Sequence, residues 1–150
     1  MKLLLDTHIW IWSLLDASKL SRRVKSALED GGNELWLSPI STWELVMLTE
    51  KGKIVLDRDA GEWIASALRA APLLEAPVTH EVALAVSEIT LPHRDPAGRL
   101  IAATARVFGL ALVTVDEQMR SGGGFDVLPA RAYYTDGVLL RNDHHNNTGH

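Results

Sequence analysis

With 150 residues, 47% of them hydrophobic, the chain is long enough for one domain that buries roughly two-thirds of its unfolded surface, which excludes a disordered protein. Its 19 acidic and 15 basic residues leave a formal net charge of -4, so no whole-molecule field draws in a polyanion, and a nucleic acid needs a local basic rim or metal ions. Cysteine is absent, which excludes disulfides and thiolate zinc sites and fits a cytoplasmic protein, and neither a membrane span nor a signal peptide is legible.

The chain opens Met1-Lys2-Leu3-Leu4-Leu5-Asp6. Three leucines in a row predict a short strand apolar on both faces, as in the middle of a parallel sheet. Asp6 then falls at the strand's carboxyl end, where open α/β sheets bind ligands. Neither GxGxxG nor GxxxxGK[ST] follows, so the rim carries a carboxylate rather than a nucleotide loop, and a carboxylate there suggests a metal. Residues 9 to 17 read as a short helix or turn packed inward, with Trp10 and Trp12 as core or dimer-contact residues. His8 reads as a rim or packing residue. Ser21 caps a helix to about Asp30, Gly31-Gly32 stops it, and Leu35-Trp36-Leu37 is the second buried strand.

In Ser38-Pro39-Ile40-Ser41-Thr42-Trp43-Glu44-Leu45, Ser38 or Ser41 caps a helix that carries Trp43, Leu45, Val46 and Leu48 inward. Glu44 falls in its first turns, where the helix dipole favours a carboxylate. Ile54-Val55-Leu56 is a short extended piece, residues 60 to 70 form an amphipathic helix ended by Pro72, and Leu73 to Pro77 is a weak strand. From Thr79 to about Glu88 a further helix uses Val82, Ala83 and Val86 as its inner face, with His80 in solvent.

Asp95 and Pro96 mark the next helix start as cap and first turn. His93, Arg94 and Arg99 form a basic cluster beside it, either a phosphate-contacting rim or a loop with ordinary salt bridges. Gly98 contributes no side chain and weakens the early helix by about 1 kcal/mol relative to alanine. Leu110 to Thr114 reads as a parallel strand followed by Asp116, repeating the Leu5-Asp6 arrangement. Gly122-Gly123-Gly124 makes a turn, Phe125 to Leu128 an edge strand, and residues 141 to 150 a polar tail.

Asp6, Glu44 and Asp116, with Asp95 nearby, are the candidate site. Carboxylates gathered in one crevice repel one another, and a hard divalent cation relieves that repulsion. Oxygen ligands favour Mg²⁺ or Mn²⁺ over Zn²⁺. The chemistry this predicts is hydrolysis of a phosphodiester by activated water, without a covalent enzyme intermediate. No GxSxG is present and a cysteine nucleophile is impossible.

Four pieces occur in order: Leu5-Asp6-Thr7-His8 followed by Trp10; Ser38 through Glu44; His93-Arg94-Asp95-Pro96-Ala97-Gly98-Arg99 continuing to Ala105; and Leu112-Val113-Thr114-Val115-Asp116. In these the chain resembles the PIN-domain family, and within it the VapC-type toxins of bacterial toxin-antitoxin pairs. The resemblance covers roughly residues 1 to 131, expected to be the nuclease domain, with 132 to 150 a partly flexible extension. It implies a three-layer α/β/α sandwich around a central parallel sheet, Mg²⁺- or Mn²⁺-dependent endoribonuclease activity, a homodimer and a cognate antitoxin. RNA is the implied substrate, with transfer RNA one candidate.

By motif matching, Asp6, Glu44 and Asp116 carry over as metal-holding acids, Asp95 and Gly98 as the third catalytic motif, and Arg94 and Arg99 as RNA contacts. This branch usually reads Asp-Pro-x-Asp-Arg in the third motif, and here the second aspartate is matched by Gly98. Three readings stay open: a toxin disarmed to spare its host, a naturally weak or inactive variant, or replacement of the missing acid by Asp95. The expectation is a ribonuclease scaffold with impaired cleavage. The alternative is a noncatalytic protein that binds RNA or an antitoxin in the same crevice.

Overall fold

Lys2–Leu5 forms β1, the middle strand of a five-stranded sheet. Its neighbours are β2 (Glu34–Leu37) and β4 (Ala111–Val113), and the edges are β3 (Leu74–Glu75) and β5 (Asp126–Leu128). All four pairings are parallel, with Leu4 opposite Trp36 on one side and Leu112 on the other. The computed structural model describes residues 1–92 and 95–129, together with the backbone of β6 (Ala132–Thr135) and β7 (Val138–Arg141), an antiparallel pair separate from the main sheet. His93, Arg94 and the histidines of the tail lie outside the described residues.

The leucine run explains why β1 sits in the middle. Successive side chains alternate between faces, so a strand apolar at every position must be covered twice. Leu4 joins the core with Ile101, Ala102 and Leu112, whereas Leu3 and Leu5 join that with Ile9, Trp10, Val24 and Leu45. The first core is covered by α5 (His80–Ala85) and α6 (Pro96–Phe108). The second takes its cover from α1 (Thr7–Leu15), α2 (Arg22–Glu29), α3 (Pro39–Glu50) and α4 (Ala60–Ala70). The result is the expected α/β/α sandwich. No helix among the described residues is long and apolar enough to cross a membrane.

Local signals set the helix starts. Ser38, not Ser41, caps α3 by accepting from the Ile40 amide, and Pro39 fills the first turn. Ser21 caps α2 through the Val24 amide, and Asp95 caps α6 through that of Ala97. Two expectations need correction. Trp43 is 54% exposed, because neighbouring Glu44 and buried Leu45 set the inner face of α3 elsewhere. On α5, Ala85 rather than Ala83 is buried, and the helix tightens into a 3-10 turn at Val86–Glu88.

Sheet order β3-β2-β1-β4-β5 reverses direction between β1 and β4. Strand carboxyl ends beside such a reversal border a crevice that adjacent crossovers leave open on opposite faces. Asp6 and Asp116 follow these two strands.

Candidate active site

Asp6 links β1 to α1. Its backbone amide donates to the Val113 carbonyl at 3.0 Å, prolonging the ladder with β4, while its side chain caps α1. The two carboxylate oxygens have different partners: Oδ1 accepts from the Thr7 amide at 2.9 Å and Oδ2 from the Thr114 hydroxyl at 2.7 Å. Thr114 also accepts from the Asp116 amide at 3.1 Å. One buried hydroxyl therefore ties the Asp6 carboxylate to the backbone that presents Asp116. The Asp116 carboxylate in turn caps α7 (Glu117–Arg120), accepting from the Gln118 and Met119 amides.

Thr7 ties Asp6 to Glu44, its amide donating to the first and its hydroxyl reaching the second. Thr7, only 1% exposed, has its Oγ1 2.6 Å from Glu44 Oε1 and 2.9 Å from Ser41 Oγ. A single hydroxyl hydrogen serves one of these, and a carboxylate only accepts. Thr7 accordingly donates to Glu44 and accepts from Ser41. The i, i+3 spacing on α3 puts Ser41 and Glu44 on one face of the helix. Ser41 and Thr114 are fully buried, so the two carboxylates rest on a floor of satisfied hydroxyls.

Burial pushes the Asp6 carboxyl above its ordinary range; hydrogen bonds from Thr114 and Thr7 and the charge of His8 oppose this, and the charge of Asp116 adds to it. Burial likewise raises Glu44, opposed by the Thr7 hydrogen bond, strengthened by the charges of Asp6 and Asp95 and opposed again by His8. Asp6 thus lies within electrostatic reach of Asp116, and Glu44 within reach of Asp6 and Asp95. Among the described residues, no three histidine, cysteine, aspartate or glutamate side chains converge closely enough to hold a metal ion. In kind the donors fit a hard cation, being carboxylate oxygens. In number the convergence is incomplete.

The third motif is arranged differently from the other acids. Asp95 is the exposed cap of α6, and Gly98, two residues after Pro96, is buried without a side chain. Arg99 turns toward the end of the preceding 3-10 turn, where Nη2 donates to the carbonyls of Val86 at 3.2 Å and Ile89 at 3.0 Å. Sequence reasoning missed Thr7, Ser41 and Thr114 as supports of the acids. Thr7 beside Asp6, and Thr114 two before Asp116, were the available signals. The Thr7–Ser41 contact joins residues 34 apart and had none.

The family model described as "PIN domain" matches residues 3–123. Over 121 residues the chain is 35% identical to Ribonuclease VapC22 of Mycobacterium tuberculosis (strain ATCC 25618 / H37Rv), covering 79% of this chain and 89% of that protein. Its fold matches VapBC2 from Rickettsia felis bound to a promoter DNA fragment, with TM-score 0.63, 18% identity and coverage of 85% of this chain and 97% of that one. DNA-bound VapBC from Salmonella typhimurium gives TM-score 0.62 at 16% identity, covering 85% and 96%. A central parallel sheet with acids at the carboxyl ends of its middle strands, matched by sequence along residues 3–123, means that this chain belongs to the PIN-domain family and is related to the VapC-type toxins.

Proposed function

We propose that the chain is a toxin ribonuclease scaffold whose domain, residues 1 to 131, hydrolyses RNA phosphodiesters with Mg²⁺ or Mn²⁺, and whose cleavage is impaired by Gly98. The observation that carries this reading is the hydroxyl-braced acid rim, in which Thr7 joins Asp6 to Glu44 and Thr114 joins Asp6 to the backbone of Asp116. Asp6, Glu44 and Asp116 would hold the metal. When bound, it supplies activation of water and neutralisation of charge at the phosphorus.

The chain's own residues supply orientation. Thr7 fixes Glu44, Thr114 fixes Asp6, and buried Ser41 keeps the Thr7 hydroxyl turned toward its acceptor. Gly98 removes a carboxylate where the family pattern has one, which weakens metal binding while leaving the fold. Asp95, held as a helix cap, is the local candidate to compensate. Arg94 and the remaining N–H groups of Arg99 are proposed phosphate contacts. The ribonuclease named among the relatives supports RNA as substrate. A fold relative at TM-score 0.53 and 22% identity is a toxin-antitoxin complex from Klebsiella pneumoniae, covering 79% of this chain and 89% of that one. By the same reading this chain works in the cytoplasm as a homodimer, restrained by a cognate antitoxin.

A second reading is favoured by the missing side chain at Gly98: a noncatalytic protein that retains RNA or antitoxin binding. One experiment separates the two. Total RNA and purified transfer RNAs are incubated with this chain and with its Gly98→Asp form, each with Mg²⁺, with Mn²⁺ and with chelator. The expected result is cleavage at least about tenfold faster by the Gly98→Asp form and none in chelator. Equal metal-dependent cleavage by both forms overturns the role given to position 98. No cleavage by either form overturns the nuclease reading in favour of the noncatalytic one.

A further inference from the structure

An aromatic and cationic group runs away from the acid rim along α1. His8 follows Thr7 directly and is exposed. One helical turn further on, the Trp12 indole lies with its centroid 5.7 Å from that of the imidazole, the two planes inclined at 56°. Behind it, the 3-10 turn Ala17–Lys19 sets the exposed Lys19 Nζ 5.6 Å from the centroid of the same indole. Trp12 is half-buried against the core containing Ile9 and Trp10, which anchors it. The inner end of this line is at the site, since His8 directly follows Thr7, which bonds both Asp6 and Glu44.

We propose that His8 and Lys19, braced by Trp12, form a nucleotide subsite in which a base of single-stranded RNA stacks on the imidazole while an adjoining phosphate meets the Lys19 ammonium. The inference rests on the ribonuclease reading and adds to it the residues that grip the strand beside the cleaved bond. Three physical reasons support it. A free surface imidazole loses much rotamer freedom when it stacks, and contact with the anchored indole removes part of that loss beforehand. The cation–π contact does the same for Lys19, which is otherwise a long mobile side chain. Among the described residues Lys19 forms no salt bridge, so its charge is not neutralised by a neighbouring carboxylate.

Electrostatics make such a grip necessary. A chain of net charge -4, with a crevice of carboxylates, repels RNA unless cations stand next to the crevice. Stacking on a π-face accepts any base, so the subsite contributes affinity and register rather than strict sequence choice.

The test is fluorescence anisotropy with a labelled single-stranded RNA of mixed sequence, titrated with the intact chain and its variants in Mg²⁺ and in chelator. His8→Ala and Lys19→Ala are each expected to weaken binding by about tenfold, the scale of one lost stacking or phosphate contact. His8→Phe keeps a stacking face and is expected to retain most of the affinity. Lys53→Ala, an exposed cation elsewhere, is the control and is expected to bind like the parent. All these positions are exposed, and unchanged melting temperatures confirm that the variants fold.

Parent-like binding by His8→Ala, with metal-dependent cleavage still seen in the Gly98→Asp form, overturns the subsite and leaves the nuclease reading standing. An equal loss in Lys53→Ala overturns it in favour of diffuse charge. Neither binding nor cleavage of RNA by any form overturns both readings together.

Discussion

At the scale of single residues, the acids work against the metal-free fold that carries them. Asp6 and Glu44 are both raised above their ordinary range, chiefly by burial. Such a group binds its proton more tightly folded than unfolded, so folding stability falls as pH rises from the ordinary carboxylate range through the raised folded values. Asp6→Asn removes the buried charge while its amide can still meet the Thr7 amide and the Thr114 hydroxyl. It is expected to raise the metal-free melting temperature at pH 7 by about 2–4 °C and to flatten the rise expected in the parent when pH is lowered from 7 to 5. Added Mn²⁺ should then stabilise the parent and leave the variant unmoved. Thermal melts at the two pH values, with and without Mn²⁺, decide this, and a lower melting point for Asp6→Asn would mean that its hydrogen bonds outweigh its burial. The acids themselves were legible in the sequence because Asp6 and Asp116 end strands and Glu44 lies in a helix's first turns. Their hydroxyl supports were not, since a buried threonine looks like any β-branched core residue until the fold brings Thr7 to Ser41.

At the scale of elements, α6 shows how local signals fix an end of the site. Asp95 caps it and Pro96 begins it, both readable from the sequence, and Gly109 ends it in the left-handed region at φ 63 and ψ 40. A Cβ at Gly109 would meet nothing within 4 Å, so the penalty of a side chain there is one of backbone conformation alone. Gly109→Ala is therefore expected to cost about 1 kcal/mol and Gly109→Asn less, because asparagine tolerates that conformation better. Urea unfolding of the three forms measures the difference, and equal midpoints would show that the helix end relaxes to another conformation. The inner face of α5 was less legible. Val82, Ala85 and Ile89 are buried at spacings of three and four, and a stripe centred on them leaves Ala83, one residue round from Val82, on the outer side. Trp43 misled for another reason: apolar character argues for burial, yet α3 already commits its buried face to Ser41 and Leu45.

At the scale of the whole molecule, the run Leu3-Leu4-Leu5 foretells a middle strand covered on both faces, and that placement puts Asp6 at the carboxyl end of the sheet's centre. The strand order could not be read, because short apolar runs such as Leu110 to Thr114 specify a buried strand and not its neighbour. The return from edge strand β3 to β4 beside β1 puts the two acid-bearing ends next to each other. The same molecule has net charge -4, so the RNA binding proposed above must come from a few placed cations rather than a basic face. With Lys19, Arg94 and Arg99 as the phosphate contacts proposed above, single-stranded RNA binding in chelator should fall with salt at a slope of about -2 in log K against log salt concentration, roughly -0.7 for each contact. Lys19→Ala should make that slope shallower by roughly 0.7. Anisotropy titrations across a salt series measure both quantities. A slope near -5 or steeper would require about seven phosphate contacts and would replace the local grip with an extended cationic surface.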